Sequence, residues 1–379
     1  MDKKIFMMVI MMITLGCSGE RYADKAMACL KPEADKPQRI SDMLKSFRLI
    51  RLETTEQSLI GNHIGKIKKH HDKYYISTDR KELLIFDKNG SLVSKISKIG
   101  NGPGEYVQLC DYDVFENDHI AILNANELII YDKEGVYMKN IPLPFMPFNM
   151  KIINDDSILL YTSGEEYMIY EIDASGKVIK GEYKNRPSAQ LGRNIAFVTY
   201  GDSKVMTQSG RSKDCTFYDF TTQEFDSAEL VCDDILTATE EESYMKTYGG
   251  NYLENLSHVK CIDGISGCNT HLLFGCGSMQ DGFNVQVLDI KGKRIEHVIS
   301  SNDINDITFT SPFFMGYASL AESKDCFITY AFPKDIQMGL EEHKAFSEHP
   351  NYQEIEKLFS SNTEELQDEN PCLVEFTFK

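Results

Sequence analysis

Short apolar runs alternate along the chain with polar turn signals, and these signals form two series that keep step. In the first, a polar pair introduces a β-branched or aromatic run. Examples are Asp72-Lys73 before Tyr74-Tyr75-Ile76, Asn117-Asp118 before Ile120-Ala121-Ile122, Asp155-Asp156 before Ile158-Leu159-Leu160, and Asp202-Ser203 before Val205-Met206. Asn269-Thr270 before Leu272-Leu273-Phe274 and Lys324-Asp325 before Phe327-Ile328 complete it. In the second, an apolar run ends in Asp with Gly three residues on: Asp87 to Gly90, Asp132 to Gly135, Asp173 to Gly176 and Asp289 to Gly292. A degenerate copy at Asp219 has Thr222 in place of the glycine. Asp opens a tight turn and Gly supplies its positive φ, so each signal marks a hairpin between strands. The unit is strand, turn, strand, loop, strand, turn, strand, repeated at roughly 40 to 50 residues, the signature of a β-propeller.

Six first turns are present but only five second turns. The last unit ends in Leu373-Val374-Glu375-Phe376-Thr377-Phe378 and lacks its outermost strand, whereas Phe47 to Leu52 precedes the first unit with no place in it. Putting that surplus strand on the last blade closes the ring and removes an unpaired edge. The expected fold is therefore all-β, a six-bladed β-propeller over residues 46–379 closed by an N-terminal strand on the last blade. A sandwich would explain neither the surplus nor the gap. Two partly helical insertions interrupt the rhythm. Residues 233–258 fall between blades four and five, and residues 335–365 fall inside blade six, where Ile336, Leu340, His343 and Phe346 recur at helical spacing. They either pad one face or form a lid above the channel.

Upstream of the repeats, Lys3 and Lys4 precede an apolar run from Ile5 to Leu15, then Gly16 and Cys17. A run of eleven residues is too short for a membrane span, which needs about 20, and the arrangement is that of a secretory signal. Its Gly-Cys ending resembles a bacterial lipoprotein signal. The resemblance implies that residues 1–16 are removed and that Cys17 carries the lipid anchor. Residues 17–45, charged and with Pro32 and Pro37, read as a tether. The expected address is the cell envelope, lipid-anchored in the outer membrane. Formal net charge is −18, which repels phosphate backbones and argues against a nucleic-acid partner.

The connection Ile99-Gly100-Asn101-Gly102-Pro103-Gly104-Glu105-Tyr106, the Phe-Asp-x-x-Gly hairpins and the opening Leu49-Ile50-Arg51-Leu52-Glu53-Thr54 together resemble the six-bladed β-propeller lipoproteins of Bacteroidetes, similar in fold to NHL-repeat and TolB-like propellers. That resemblance implies fold and address but no reaction. Propellers place ligands on one face or in the central channel, so contacts are expected on inter-blade loops. Glu105, Tyr106, Asp113 and Asn124 are the candidate ligand-contacting residues, and no catalytic residue or resident metal is assigned.

Other chemistry is sparse. Asp111 and Asp113 share a strand face, and the simpler expectation is that both are solvated. His70 and His71 flank a turn without a metal motif and are expected in solvent. Besides Cys17, nine cysteines remain, none in a C-x-x-C, and several lie in apolar runs as buried thiols. The expected function is a binding or interaction scaffold for a protein or glycan, held to the membrane by its anchor. The alternative is a calcium-dependent, lactonase-like hydrolase in which Glu105, Asp113 and Asn124 converge on an ion in the channel.

Overall fold

The computed structural model describes residues 26–34, 36–61, 63–184, 197–208, 212–231, 235–249, 259–278, 280–311, 321–359 and 369–379. The expected signal segment and Cys17 lie outside them, as do parts of both insertions. The strands form six sheets, the blades of a propeller. Before the first blade come β1 (Ala26–Cys29) and β2 (Leu44–Arg51). Blade one is β3 (Ile64–His70), β4 (Lys73–Thr78), β5 (Leu83–Asp87) and β6 (Leu92–Ile96). Blade two is β7 (Asp111–Val114), β8 (Ile120–Asn124), β9 (Glu127–Tyr131) and β10 (Tyr137–Pro142). Blade three is β11 (Asn149–Asn154), β12 (Ser157–Tyr161), β13 (Tyr167–Ile172) and β14 (Val178–Lys184). Blade four is β15 (Val198–Tyr200), β16 (Lys204–Gln208), β17 (Asp214–Asp219) and β18 (Glu224–Val231). Blade five is β19 (Cys261–Gly267), β20 (His271–Ser278), β21 (Gly282–Asp289) and β22 (Arg294–Ile299). The last blade holds β23 (Ala321–Glu322), β24 (Phe327–Ala331) and β25 (Cys372–Phe378).

Closure follows the expected scheme. β2 lies antiparallel on β25, with Phe47 opposite Phe376 and Arg51 opposite Cys372, and supplies the outermost strand of blade six. The innermost strand, β23, pairs instead with β3 of blade one in parallel, Glu322 opposite Lys68. The first and last blades are thus joined along the axis as well as at the rim. Alternation does the rest. In each blade the residues facing neighbouring blades are apolar and buried, as with Tyr75, Ile85, Ile122, Ile130 and Leu160, which share one core across blades one to three.

In two of the second-series turns the glycine has a steric reason in the neighbouring blade. Gly90 adopts φ +88°, and a Cβ there would stand 2.1 Å from the carbonyl oxygen of Arg51. Gly176 adopts φ +87°, and its Cβ would stand 2.3 Å from the carbonyl oxygen of Pro142. Each turn therefore packs against the end of the preceding blade's outermost strand, where no side chain fits. That Arg51 holds this position for blade one, as Pro142 does for blade three, places β2 as the outermost strand of the sixth blade.

The described residues from Ala26 to Met43, expected as part of a tether, are docked on the propeller. From Ala26 on, the chain is a belt across three blades. β1 runs parallel to β18, and Lys31 exchanges two hydrogen bonds with the Gln286 side chain on β21. Gln38 donates its backbone N–H to Asp303, and Ser41 donates to Asp306 through both N–H and hydroxyl. A single helical turn, α1 (Ile40–Met43), then buries Ile40 and Met43 under blade six. Polar composition concealed this docking, because most of its anchors are hydrogen bonds rather than large apolar side chains.

Both insertions lie at the strand ends remote from the first-series turns. α2 (Ala238–Tyr248), opened by a Thr237–Glu240 capping box, stands on the connection into β19. α3 (Pro333–Glu342) and α4 (Pro350–Leu358) stand between β24 and β25. Their buried Ile336, Leu340, Tyr352 and Ile355 pack on Phe309 and Cys372.

The seam between blades six and one is also polar. Glu375 accepts from the Tyr74 hydroxyl at 2.6 Å and from Arg48 at 2.8 Å, and pairs with Lys69 at 2.7 Å. Burial alone would raise its carboxyl, but the hydrogen bonds from Lys69, Tyr74 and Arg48 outweigh burial and hold it below the ordinary glutamate value of 4.5. A folded-state pKa below the unfolded one contributes stability that is present above that ordinary value and is lost as pH falls through the depressed one. Glu375→Gln should cost about 1–3 kcal/mol at neutral pH. Thermal melts of the two proteins should converge as pH drops below 4.5; a gap independent of pH would contradict this account of the seam.

Candidate functional site

Alternation along the inner strands sends one set of side chains to the axis and the other into the core. On β3, Lys66 and Lys68 point to the axis while Ile67 is buried among apolar neighbours. On β7, Asp111 and Asp113 point inward while Tyr112 enters the core, its hydroxyl donating to the carbonyl oxygens of Tyr75 and Lys66. Lys151 of β11 and Glu322 of β23 complete a buried cluster of three cations and three anions. Lys66 pairs with Asp111 at 2.9 Å, and Lys68 with Glu322 at 3.1 Å. Lys68–Asp113 and Lys151–Glu322 are also direct ion pairs.

The two aspartates do a second job. Asp111 accepts from the Met150 N–H at 2.9 Å, and Asp113 from the Ile152 N–H at 2.7 Å. The carboxylates of blade two thus satisfy backbone donors of the next inner strand that would otherwise be orphaned. Burial and electrostatics compete at each group. At Asp113 burial raises the carboxyl, but Lys68, Lys151 and Lys66 outweigh it and hold it below the usual carboxylate range. At Asp111 burial wins, and its carboxyl is raised despite Lys66. Burial, then repulsion from Lys68, pushes the Lys151 ammonium well below the usual lysine value.

Above this floor opens a cavity of about 520 Å³. Every blade lends its first-series turn to the lining: His71, Glu116, Asp155, Asp202, Asn269 and Asp325. The mouth therefore lies on the face of the innermost hairpin turns, not on that of the inter-blade loops where contacts were expected. The described helices of the insertions stand at the opposite end of the strands, not over it. At the rim, His71 Nδ1 lies 3.0 Å from Asp118 Oδ1, and Lys73 holds the other Asp118 oxygen at 2.9 Å. The hydrogen bond to Asp118 raises the His71 imidazole, whereas burial, then Lys68 and His71, lowers that of His70. His70, expected in solvent, is instead largely sheltered at the end of β3.

Of the four candidate contact residues, only Asp113 reaches the channel. It is fully buried and held by Lys68, not solvated as its pattern suggested, and an ammonium stands where a bound cation would. Glu105 caps the glycine turn, accepting from the Gly102 N–H at 2.8 Å. Tyr106 is fully buried, and its hydroxyl donates to the carbonyl oxygen of Lys81 at 2.7 Å. Asn124 accepts from the N–H groups of Val107 and Gln108, both at 3.1 Å, and donates to Glu127. The last three share the end of blade two remote from the cavity, so the structure does not assemble the calcium set proposed for a hydrolase. Among the described cysteines, burial pushes Cys326 up to about 11 and Cys372 up to about 12, so both stay protonated thiols. Sequence reasoning missed Lys66, Lys68, Lys151 and Glu322; the signal was the alternation Ile64, Lys66, Ile67, Lys68 at the start of an inner strand.

The fold is that of an all-β, six-bladed propeller, and solved structures share it. A putative exported protein from Bacteroides fragilis superposes with a TM-score of 0.70 at 16% identity, over 93% of this chain and 99% of that one. A member of the DUF4221 family from Bacteroides vulgatus superposes with a TM-score of 0.51 at 12% identity, over 89% of this chain and 97% of that one. No curated protein matches. The chain belongs to the family described as a domain of unknown function, DUF4934, whose model matches residues 29–377.

The floor should respond to charge removal. Glu322 compensates Lys68 and Lys151 at once, so Glu322→Gln should destabilise the protein by about 3–5 kcal/mol. Adding Lys151→Met should recover part of that loss in denaturant unfolding, because the second change removes the uncompensated charge. Additive losses would contradict the ion-pair network.

Proposed function

We infer that the protein is a cell-envelope lipoprotein, anchored in the outer membrane through Cys17, whose propeller is a binding scaffold that receives a protein or glycan partner at the channel mouth. The observation that carries this reading is the convergence of one turn from each of the six blades on a single polar cavity. The cavity rests on a floor whose charges are already paired with one another. Such a floor supports a rim and commits its acids and lysines to structure, which favours recognition over turnover. The rim mixes carboxylates, amides and imidazoles, groups suited to a hydroxyl-rich or polar peptide surface.

The belt also bears on orientation. With docking from Ala26, the nine residues 17–25 separate the anchor from the propeller in this reading, and they can span at most about 30 Å. The outer edge of blade four, where β1 lies, would therefore stay within that distance of the lipid headgroups.

Two measurements test this reading. Fatty-acid analogue labelling of intact cells should mark the wild type and not Cys17→Ala; an unlabelled wild type would end the lipoprotein claim. A photo-crosslinking residue at Asp155, Asp202 or Asp325 should capture an envelope component, while one at Met338 or Gln353, on the helices of the remote face, should not. Crosslinks concentrated on the helices would contradict the assignment of the mouth.

A further inference from the structure

His70 and His71 are consecutive at the end of β3, and consecutive strand residues ordinarily point to opposite faces. Here their ring centroids are 4.1 Å apart. His71 has left the strand for the left-handed region, φ 50°, which swings its ring back beside its neighbour's. The side chain of His70 is nine-tenths buried, its Nε2 makes no hydrogen bond, and Asp118 Oδ1 stands 3.5 Å away. A buried nitrogen without a partner costs about 1–3 kcal/mol, so the site is incomplete as a set of protein groups alone.

His71 is arranged differently. Its Nδ1 faces Asp118 at 3.0 Å, and Asp118 is itself held by Lys73. A carboxylate on one imidazole nitrogen places the proton there and leaves the other nitrogen's lone pair free, the usual outer support of a metal-bound histidine. That other nitrogen, Nε2, lies 3.5 Å from Glu116 Oε1. One ligand atom each from His70, His71 and Glu116 falls within 4.8 Å of the other two. In a tetrahedral shell with bonds of about 2.0–2.1 Å, ligand atoms stand roughly 3.4 Å apart. Glu116 is exposed on a turn and can close the remaining gap by rotating. The neighbouring cations are already committed: Lys68 to Asp113 and Glu322, Lys69 to Glu375, and Lys73 to Asp118.

We propose that His70, His71 and Glu116 form a three-ligand site for a divalent transition-metal ion of the zinc class at the channel mouth, with Asp118 orienting His71. Two imidazoles and one carboxylate suit a borderline-soft ion rather than calcium or magnesium, which take oxygen ligands. All three residues line the cavity, so the remaining coordination position faces the space that a partner would enter. The site does not depend on the scaffold reading, since metal binding is measured with no partner present.

The test uses the purified full-length protein without an affinity tag, titrated with zinc chloride by calorimetry and with cobalt(II) by visible absorption. One zinc ion should bind with micromolar or tighter affinity, and cobalt should give the intense d–d bands of a four-coordinate site. His71→Ala and Glu116→Gln alter exposed side chains, so folding should survive, and each should weaken zinc at least about tenfold. Asp118→Asn should weaken it by roughly tenfold while leaving the stoichiometry unchanged. His63→Ala, an exposed histidine outside the cluster, should have no effect. Absence of saturable binding, or wild-type affinity in both His71→Ala and Glu116→Gln, would overturn the proposal.

Discussion

A propeller depends on its closure: apolar cores join each blade to the next, and the last blade must still be tied back to the first. In this chain closure is the pairing of β2 with β25, between residues more than 300 positions apart in sequence. Around that pairing the seam is reinforced at three depths. At the rim, the end of β2 packs on the Asp87–Gly90 turn of blade one. Midway, Glu375 gathers Tyr74, Arg48 and Lys69. At the axis, β23 has crossed from its own blade to pair with β3, and Glu322 faces Lys68. The belt from Ala26 to Met43 adds a fourth tie on the outside, running from blade four across blade five to blade six.

The channel shows why ions rather than apolar side chains fill the axis. Inner strands of adjacent blades converge there, and their backbone donors are not all met by strand pairing. Asp111 and Asp113 supply acceptors to Met150 and Ile152. A carboxylate placed for that task is buried and needs a counter-charge, which Lys66 and Lys68 bring from the preceding blade. Lys151 and Glu322 extend the same logic around the ring. An apolar residue could fill the volume but could not accept the amide hydrogens. The charges under the mouth are thus part of the frame, and the free chemistry is displaced to the rim, where His70, His71, Glu116 and Asp118 meet.

Local chemistry was legible in the sequence, and so was the strand that closes the ring; long-range side-chain pairing was not. Turns written as Asp-x-x-Gly announce themselves because the required φ and the absent Cβ are properties of a few adjacent residues. Counting them exposed the surplus strand at one end and the missing one at the other, which is why closure could be foreseen. Asp111 and Asp113 read as solvated because their partners lie some 45 residues earlier, on another blade. The belt read as a tether because Gln286, Asp303 and Asp306, which hold it, are more than 250 residues away. Tyr106 and Glu105 drew notice as neighbours of a glycine-rich run, and they serve that turn rather than the channel.

The central claim, that β2 locks the ring, is tested most directly by thermal unfolding of two shortened chains, one beginning at Lys45 and one at Glu53. They differ by Lys45–Leu52, that is β2 without its first residue, together with Leu52. The difference withdraws Ile50 and Leu52 from the core and exposes the edge of β25. At about 1.5–3 kcal/mol for each buried apolar side chain, plus the lost ladder, the shorter chain should melt roughly 10 °C lower and aggregate through its open edge. Coincident melting curves, with both chains monomeric, would contradict the account.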